Sequence, residues 1–290
     1  MEIQWSLVLF TLFVCLSAGV FAGQGLLVLL GKGAKLQMPS LMVALVALLI
    51  GGIASFTHLQ HWERSFNGFG HLSSGITQEL IAVAVMFVLI IIYFAFARRG
   101  EIPKWMGALA VVGGVVLVLV MANSYMMAAR PVWSTVLLHL FYLAQMVVAG
   151  ASALWLIAAL TKTEDSLQLG ARFTAVGGAL VAVSLVAYAA YVGSLSLPMV
   201  GNYFDPTEPT KPMVAPTDLG SNLLVGELAA YFWGALIMGG VIAAVLGFLF
   251  WNKSVANSGF AGAALICALA GGIAFRAALY ILGISVYAFY

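Results

Sequence analysis

Eight long apolar runs, parted by short polar breaks, leave this chain few ways to fold. They extend from Trp5 to Leu30, Ser40 to Phe56, Glu79 to Phe96, Trp105 to Met127, Val136 to Leu160, Phe173 to Val192, Leu223 to Phe250 and Ala261 to Tyr287. A bilayer core of about 30 Å takes roughly 20 apolar residues as one helix, and each run is of that order. The runs are continuous rather than alternating, so helices and not barrel strands satisfy the backbone in lipid. With 63% of the residues hydrophobic and 8% charged, the chain also has too little polar surface to coat a water-soluble globule of 290 residues. The expectation is an all-α polytopic membrane bundle of eight transmembrane helices, forming one integral membrane domain over residues 1–290.

The cations set the orientation, because short cytoplasmic loops collect Lys and Arg. The first, third, fifth and seventh connections hold Lys32, Lys35, Arg98, Arg99, Lys104, Lys162, Arg172 and Lys253, whereas the second, fourth and sixth hold Arg64, Arg130 and Lys211. Both termini are therefore expected outside. The N-terminus reads Met1-Glu2-Ile3-Gln4-Trp5 with no basic segment before its long apolar run, which predicts a retained first span rather than a signal peptide. A net charge of +2 without a cationic run argues against a nucleic-acid partner.

Chemistry concentrates in few places. The connection from Thr57 to Gln78 contains His58, His61 and His71, three of the four histidines, and Glu79 follows at the start of the third run. His58 and Glu79 thus fall at one depth on the outer side, and a histidine beside a carboxylate can take the two protons that a quinol releases. The plainer reading is that His, Trp and Arg anchor helices at the interface and that Glu79 is a helix-end carboxylate near water. Arg276 lies deep in the last run, where insertion costs about 2.5–3.5 kcal/mol, so it needs a partner. Glu227 is the first acidic candidate and Glu79 the second, while Tyr280 shares the face of Arg276 one turn on. His139, in the fifth run, reads as a hydrogen-bonded packing residue. The connection between the sixth and seventh runs carries Asp205-Pro206-Thr207-Glu208-Pro209 and cannot be helical. Cys15 and Cys267 both sit inside apolar runs and build neither a disulfide framework nor a thiolate metal site. Gly31-Lys32-Gly33 lacks the spacing and the hydroxyl of a phosphate-binding loop.

The order Ala54-Ser55-Phe56-Thr57-His58-Leu59, then Arg64-Ser65-Phe66-Asn67-Gly68, then Glu79 resembles the dimethyl sulfoxide reductase membrane anchor subunit family, the DmsC type. Tyr125, Pro131 and Trp133 are similar to its Tyr and Pro-x-Trp segment, and Arg276 with Tyr280 to its last-span Arg-x-x-x-Tyr. The resemblance implies an anchor in the cell inner membrane that oxidises menaquinol near the outer face, with His58 and Glu79 as the proton-handling pair. Arg64, Phe66, Gly68, Arg276 and Tyr280 would then bind the quinol. It further implies no haem, an iron-sulfur partner subunit carrying the clusters and a molybdopterin catalytic subunit. The chain departs from the family pattern at Gly272, where a Glu is common, and at Gln60, where a Gly is common. Two rival readings stand beside this one. A b-type cytochrome subunit would hold haem between His58 and His139, and a visible spectrum separates it. A non-redox transporter would show substrate flux in the isolated subunit.

Overall fold

The computed structural model describes residues 3–57, 70–195 and 219–283. Among these residues there is helix and no strand, and eight helices are long and apolar enough to cross a membrane. They are α1 (Trp5–Leu29), α2 (Gln37–Thr57, entered through a 3-10 turn at Ala34–Leu36), α3 (Gly75–Arg98), α4 (Lys104–Ser124), α5 (Val136–Leu160) and α6 (Glu164–Ser194). A short α7 (Leu219–Leu224) precedes a seventh span built from α8 (Ala229–Gly234), a π-helical stretch (Ala235–Ile242) and α9 (Ala243–Leu249), and α10 (Ser258–Leu282) closes the described chain. His58, Arg64, Phe66 and Gly68 lie outside the described residues, as does the expected end of the last span at Tyr287.

Burial separates the helices into an inner and an outer set. The spanning windows of α1 and α5 are 72% and 78% buried inside the protein, against 17% for α3, so the first two form the centre and α3 faces lipid over most of its surface. α1 packs on α2, α4, α5 and α10, while α6 joins α5 to the seventh span. Apolar attraction cannot drive helices together in lipid, so close backbone approach must. At the α1–α5 crossing Gly19 meets Gly150 backbone to backbone, leaving no room for a side-chain carbon at either position. Gly239 of the π-helical stretch meets Gly271 of α10 in the same way.

Helix ends follow local chemistry more than apolarity, which accounts for the shifted boundaries. The sixth span begins at Glu164, nine residues before the apolar run at Phe173, because Glu164 and Asp165 occupy its first turn and complement the helix dipole. The third begins at Gly75, so Glu79 stands one turn inside the helix rather than at its tip. The seventh span starts at Ala229 and not at Leu223. The chain turns at Gly226, with the Asn222 side-chain oxygen accepting the Glu227 N–H at 2.8 Å. Thr135 caps α5 by accepting from Leu137 N–H at 3.3 Å, and Asn257 caps α10 by accepting from Phe260 N–H at 3.2 Å.

Candidate functional site

The end of the bundle where α3 begins and α4 finishes gathers the polar groups that the apolar runs otherwise lack. Glu79 is half-buried, and its carboxylate lies 2.5 Å from the Ser124 hydroxyl at the last residue of α4. The same hydroxyl lies 2.8 Å from the Met121 carbonyl. A serine has one proton to give. When Glu79 is ionised, Ser124 donates to it. When Glu79 carries a proton, the carboxyl donates to Ser124, whose own proton turns to Met121. Both protonation states of Glu79 are thus hydrogen-bonded without any movement of the backbone.

The chain from Tyr125 to Thr135 folds over this end and is held there by side chains of three helices. Tyr188 and Tyr191 of α6 donate to the carbonyls of Val132 (3.1 Å) and Pro131 (2.9 Å), and the Trp133 indole N–H donates to the Leu279 carbonyl at 2.8 Å. Tyr125 and Tyr280 are buried, with their hydroxyls 2.6 Å apart. Trp133 sets its ring against both, at centroid distances of 5.6 Å to each, and Tyr142 lies 5.9 Å from Tyr125. Glu79 is within electrostatic reach of Tyr125, Tyr142 and Tyr280. Arg130 stacks over Trp133 at 4.4 Å from the outside.

Arg276 lies one turn below Tyr280 on α10 and is fully buried. The expected carboxylate partner is replaced by neutral groups. Its guanidinium donates to the Thr11 hydroxyl (2.8 Å), the Thr11 carbonyl (3.3 Å), the Gly272 carbonyl (2.9 Å) and the Cys15 sulfur (3.3 Å). It also faces the rings of Tyr142 at 5.0 Å and Phe141 at 5.5 Å. Glu227, the first candidate, is exposed at the turn before the seventh span, because the helix in which it was expected begins two residues later. A planar, weakly hydrated guanidinium tolerates this setting, since its fork of donors can meet several carbonyls and ring faces at once.

Of the expected site residues, the structure therefore brings Glu79, Tyr280 and Arg276 to one end of the bundle, linked through Tyr125 and Tyr142. His58, Arg64, Phe66 and Gly68 fall outside the described residues. His139 is half-buried, and among the described residues its buried Nδ1 has no hydrogen-bond partner. The sequence reading missed Ser124, Thr11 and Tyr142. Thr11 had a weak signal, as one of four polar residues (Ser6, Thr11, Ser17 and Gln24) in the apolar run from Trp5. Ser124 had none, because its role depends on where α4 stops relative to α3.

The comparison with known families matches residues 1–200 to the DMSO reductase anchor subunit (DmsC) family, well over half of the 290 residues. The matched stretch contains the His58 to Glu79 and Tyr125 to Trp133 segments but not Arg276 or Tyr280. No curated protein matches the chain. With eight apolar spanning helices and a family match of this extent, the chain belongs to the DMSO reductase anchor subunit (DmsC) family and is the multi-pass membrane anchor of a DMSO reductase-type complex.

Proposed function

We propose that this anchor oxidises menaquinol at the Glu79 end of the bundle, which faces outward from the cell inner membrane, and passes the electrons to an iron-sulfur partner subunit. Menaquinol gives up two hydroxyl protons and two electrons and leaves as menaquinone. One proton goes to Glu79 and the other to His58, each releasing it to the outer water. The electrons leave one at a time to the partner and serve a molybdopterin catalytic subunit beyond it. Tyr280 and Arg276 hold the aromatic wall against which the ring sits, and Arg64, Phe66 and Gly68 complete the pocket from the connection that begins at His58.

The observation that carries this reading is the Glu79–Ser124 pair. A carboxylate one turn inside a lipid-facing helix is costly unless it has work to do, and here its hydrogen bonding survives both gain and loss of a proton. The buried Tyr125–Tyr280 hydroxyl pair beside it offers a donor and an acceptor to a quinol hydroxyl. Among the described residues no three His, Cys, Asp or Glu side chains gather as a metal site. Membership of an anchor-subunit family supports placing the iron-sulfur clusters and molybdopterin in the partner subunits.

The test is quinol-dependent reduction by the assembled complex. Glu79→Gln keeps the size and hydrogen bonding of the side chain but cannot take a proton, so turnover is expected to fall by about 100-fold or more, the usual worth of a positioned acid or base. His58→Ala should do the same, and Ser124→Ala should cost less than either. Partner subunits should still co-purify in all three. Turnover at the wild-type rate in both Glu79→Gln and His58→Ala would remove the site.

A further inference from the structure

We propose that the opposite end of the bundle holds a binding site for one anionic phospholipid, with an acyl chain in a crevice between α1, α4, α5 and α6 and the phosphate on Lys104 and Lys162. The crevice measures about 170 Å³ and is walled mainly by apolar groups, among them Gly23, Leu26, Val115, Leu154, Leu169 and Phe173. Apolar cavities of roughly 150 Å³ stay dry and accept hydrocarbon. In a bilayer the hydrocarbon at hand is a lipid chain.

The mouth of the crevice supplies the second part of the site. Ser166 and Leu36 line its end nearest the loops. There the turn after α1 meets the start of α6, with the Gly33 N–H donating to the Asp165 carboxylate at 2.9 Å. Lys104 opens α4 on the same stripe as Val111 and Val115, two and three turns before them. Lys162 lies four residues before Ser166, and both lysines are exposed. Carboxylates share this region: Glu101, Glu164 and Asp165, the last already accepting from Gly33 and from the Ser166 hydroxyl at 2.9 Å. Against these three stand eight cations at the same end, which leaves that end of the protein net positive. Basic pockets between spans are what anionic headgroups recognise.

Lys162 adds an observation that charge alone does not explain. The chain leaves α5 through a residue in the left-handed region, φ +53°, with Thr163 N–H returning to the Ala158 carbonyl at 2.9 Å. The chain leaves α1 by the same path, with Lys32 N–H returning to Leu27, and there the left-handed residue is Gly31, φ +68°. Glycine is the residue this motif favours. A lysine at the equivalent place carries a backbone cost that α1 avoids, and a phosphate contact at the crevice mouth offsets it.

The experiment uses the complex purified with its partner subunits in mild detergent, with bound lipids identified by mass spectrometry after washing. Wild type is expected to retain phosphatidylglycerol. Lys104→Gln and Lys162→Gly should each lower retention about fivefold, the worth of one lysine near an anionic surface. Val115→Trp, which fills the crevice without touching the charges, should lower it as well. Lys162→Gly suits its backbone, so its melting temperature without lipid should equal or exceed that of wild type. Added phosphatidylglycerol should then raise the melting temperature of wild type more than that of Lys162→Gly. The proposal is overturned by unchanged retention in Lys162→Gly and Val115→Trp, by equal retention of a zwitterionic lipid, or by a prenyl quinol found in the crevice in place of phospholipid.

Discussion

At the scale of single residues, Arg276 shows how a bundle buries a guanidinium that, among the described residues, meets neutral groups and no carboxylate. Four hydrogen-bond contacts to Thr11, Cys15 and Gly272 and two ring faces share the guanidinium among α1, α5 and α10. Removing it takes several acceptors out of use together. Arg276→Met is expected to destabilise the protein by about 1.5–3 kcal/mol, the range for hydrogen bonds to a charged group. Arg276→Lys should recover only part of the loss, because a point charge cannot reach the same spread of acceptors. Thermal unfolding of the purified complex measures both. If Arg276→Met melts with wild type, the contacts to Thr11 and Gly272 do not hold the helices together.

Helices in this protein meet through glycine rather than through large side chains. The crossing of α1 and α5 depends on Gly19 and Gly150, whose backbones touch. Gly150→Leu must push the two central helices apart and is expected to cost about 1–3 kcal/mol or more by overpacking. Gly52 on α2 is the control, since a side-chain carbon there meets nothing within 4 Å. Gly52→Ala should be neutral or add up to about 1 kcal/mol of helix preference. Equal melting temperatures for the two variants would mean that the α1–α5 contact contributes little. The π-helical stretch of the seventh span belongs to the same economy of space, because it presents Gly239 to Gly271 and Gly240 to Ala182.

For the molecule as a whole, the decisive quantity is which end faces outward. On the orientation that we propose from the cation count, the Lys- and Arg-rich loops lie inside, both termini lie outside and Glu79 is at the outer leaflet. A reporter enzyme active only outside the cytoplasm, fused after Tyr290, should be active, and one placed in the connection at Glu101 should be silent. The reverse pattern would move quinol oxidation to the inner face and with it the release of protons. The two ends differ in chemistry as well as charge: one is a web of tyrosines, Trp133 and Glu79, the other carries the Lys- and Arg-rich connections and an apolar crevice.

Much of this was legible in the chain alone, and the reason is physical. Hydrocarbon admits few backbone solutions, so run length by itself specified eight helices; the rarity of charge within those runs singled out Arg276, and Glu79 stood out by its place after the histidine-rich connection. What those residues touch was decided only by tertiary packing. Glu227 was the natural partner for Arg276 on grounds of charge, yet helix boundaries placed it in an exposed turn, and a neutral cage of Thr11, Tyr142 and Phe141 took over. Ser124 beside Glu79, and Lys162 in a backbone suited to glycine, depend on where a helix stops in space, which local composition does not encode.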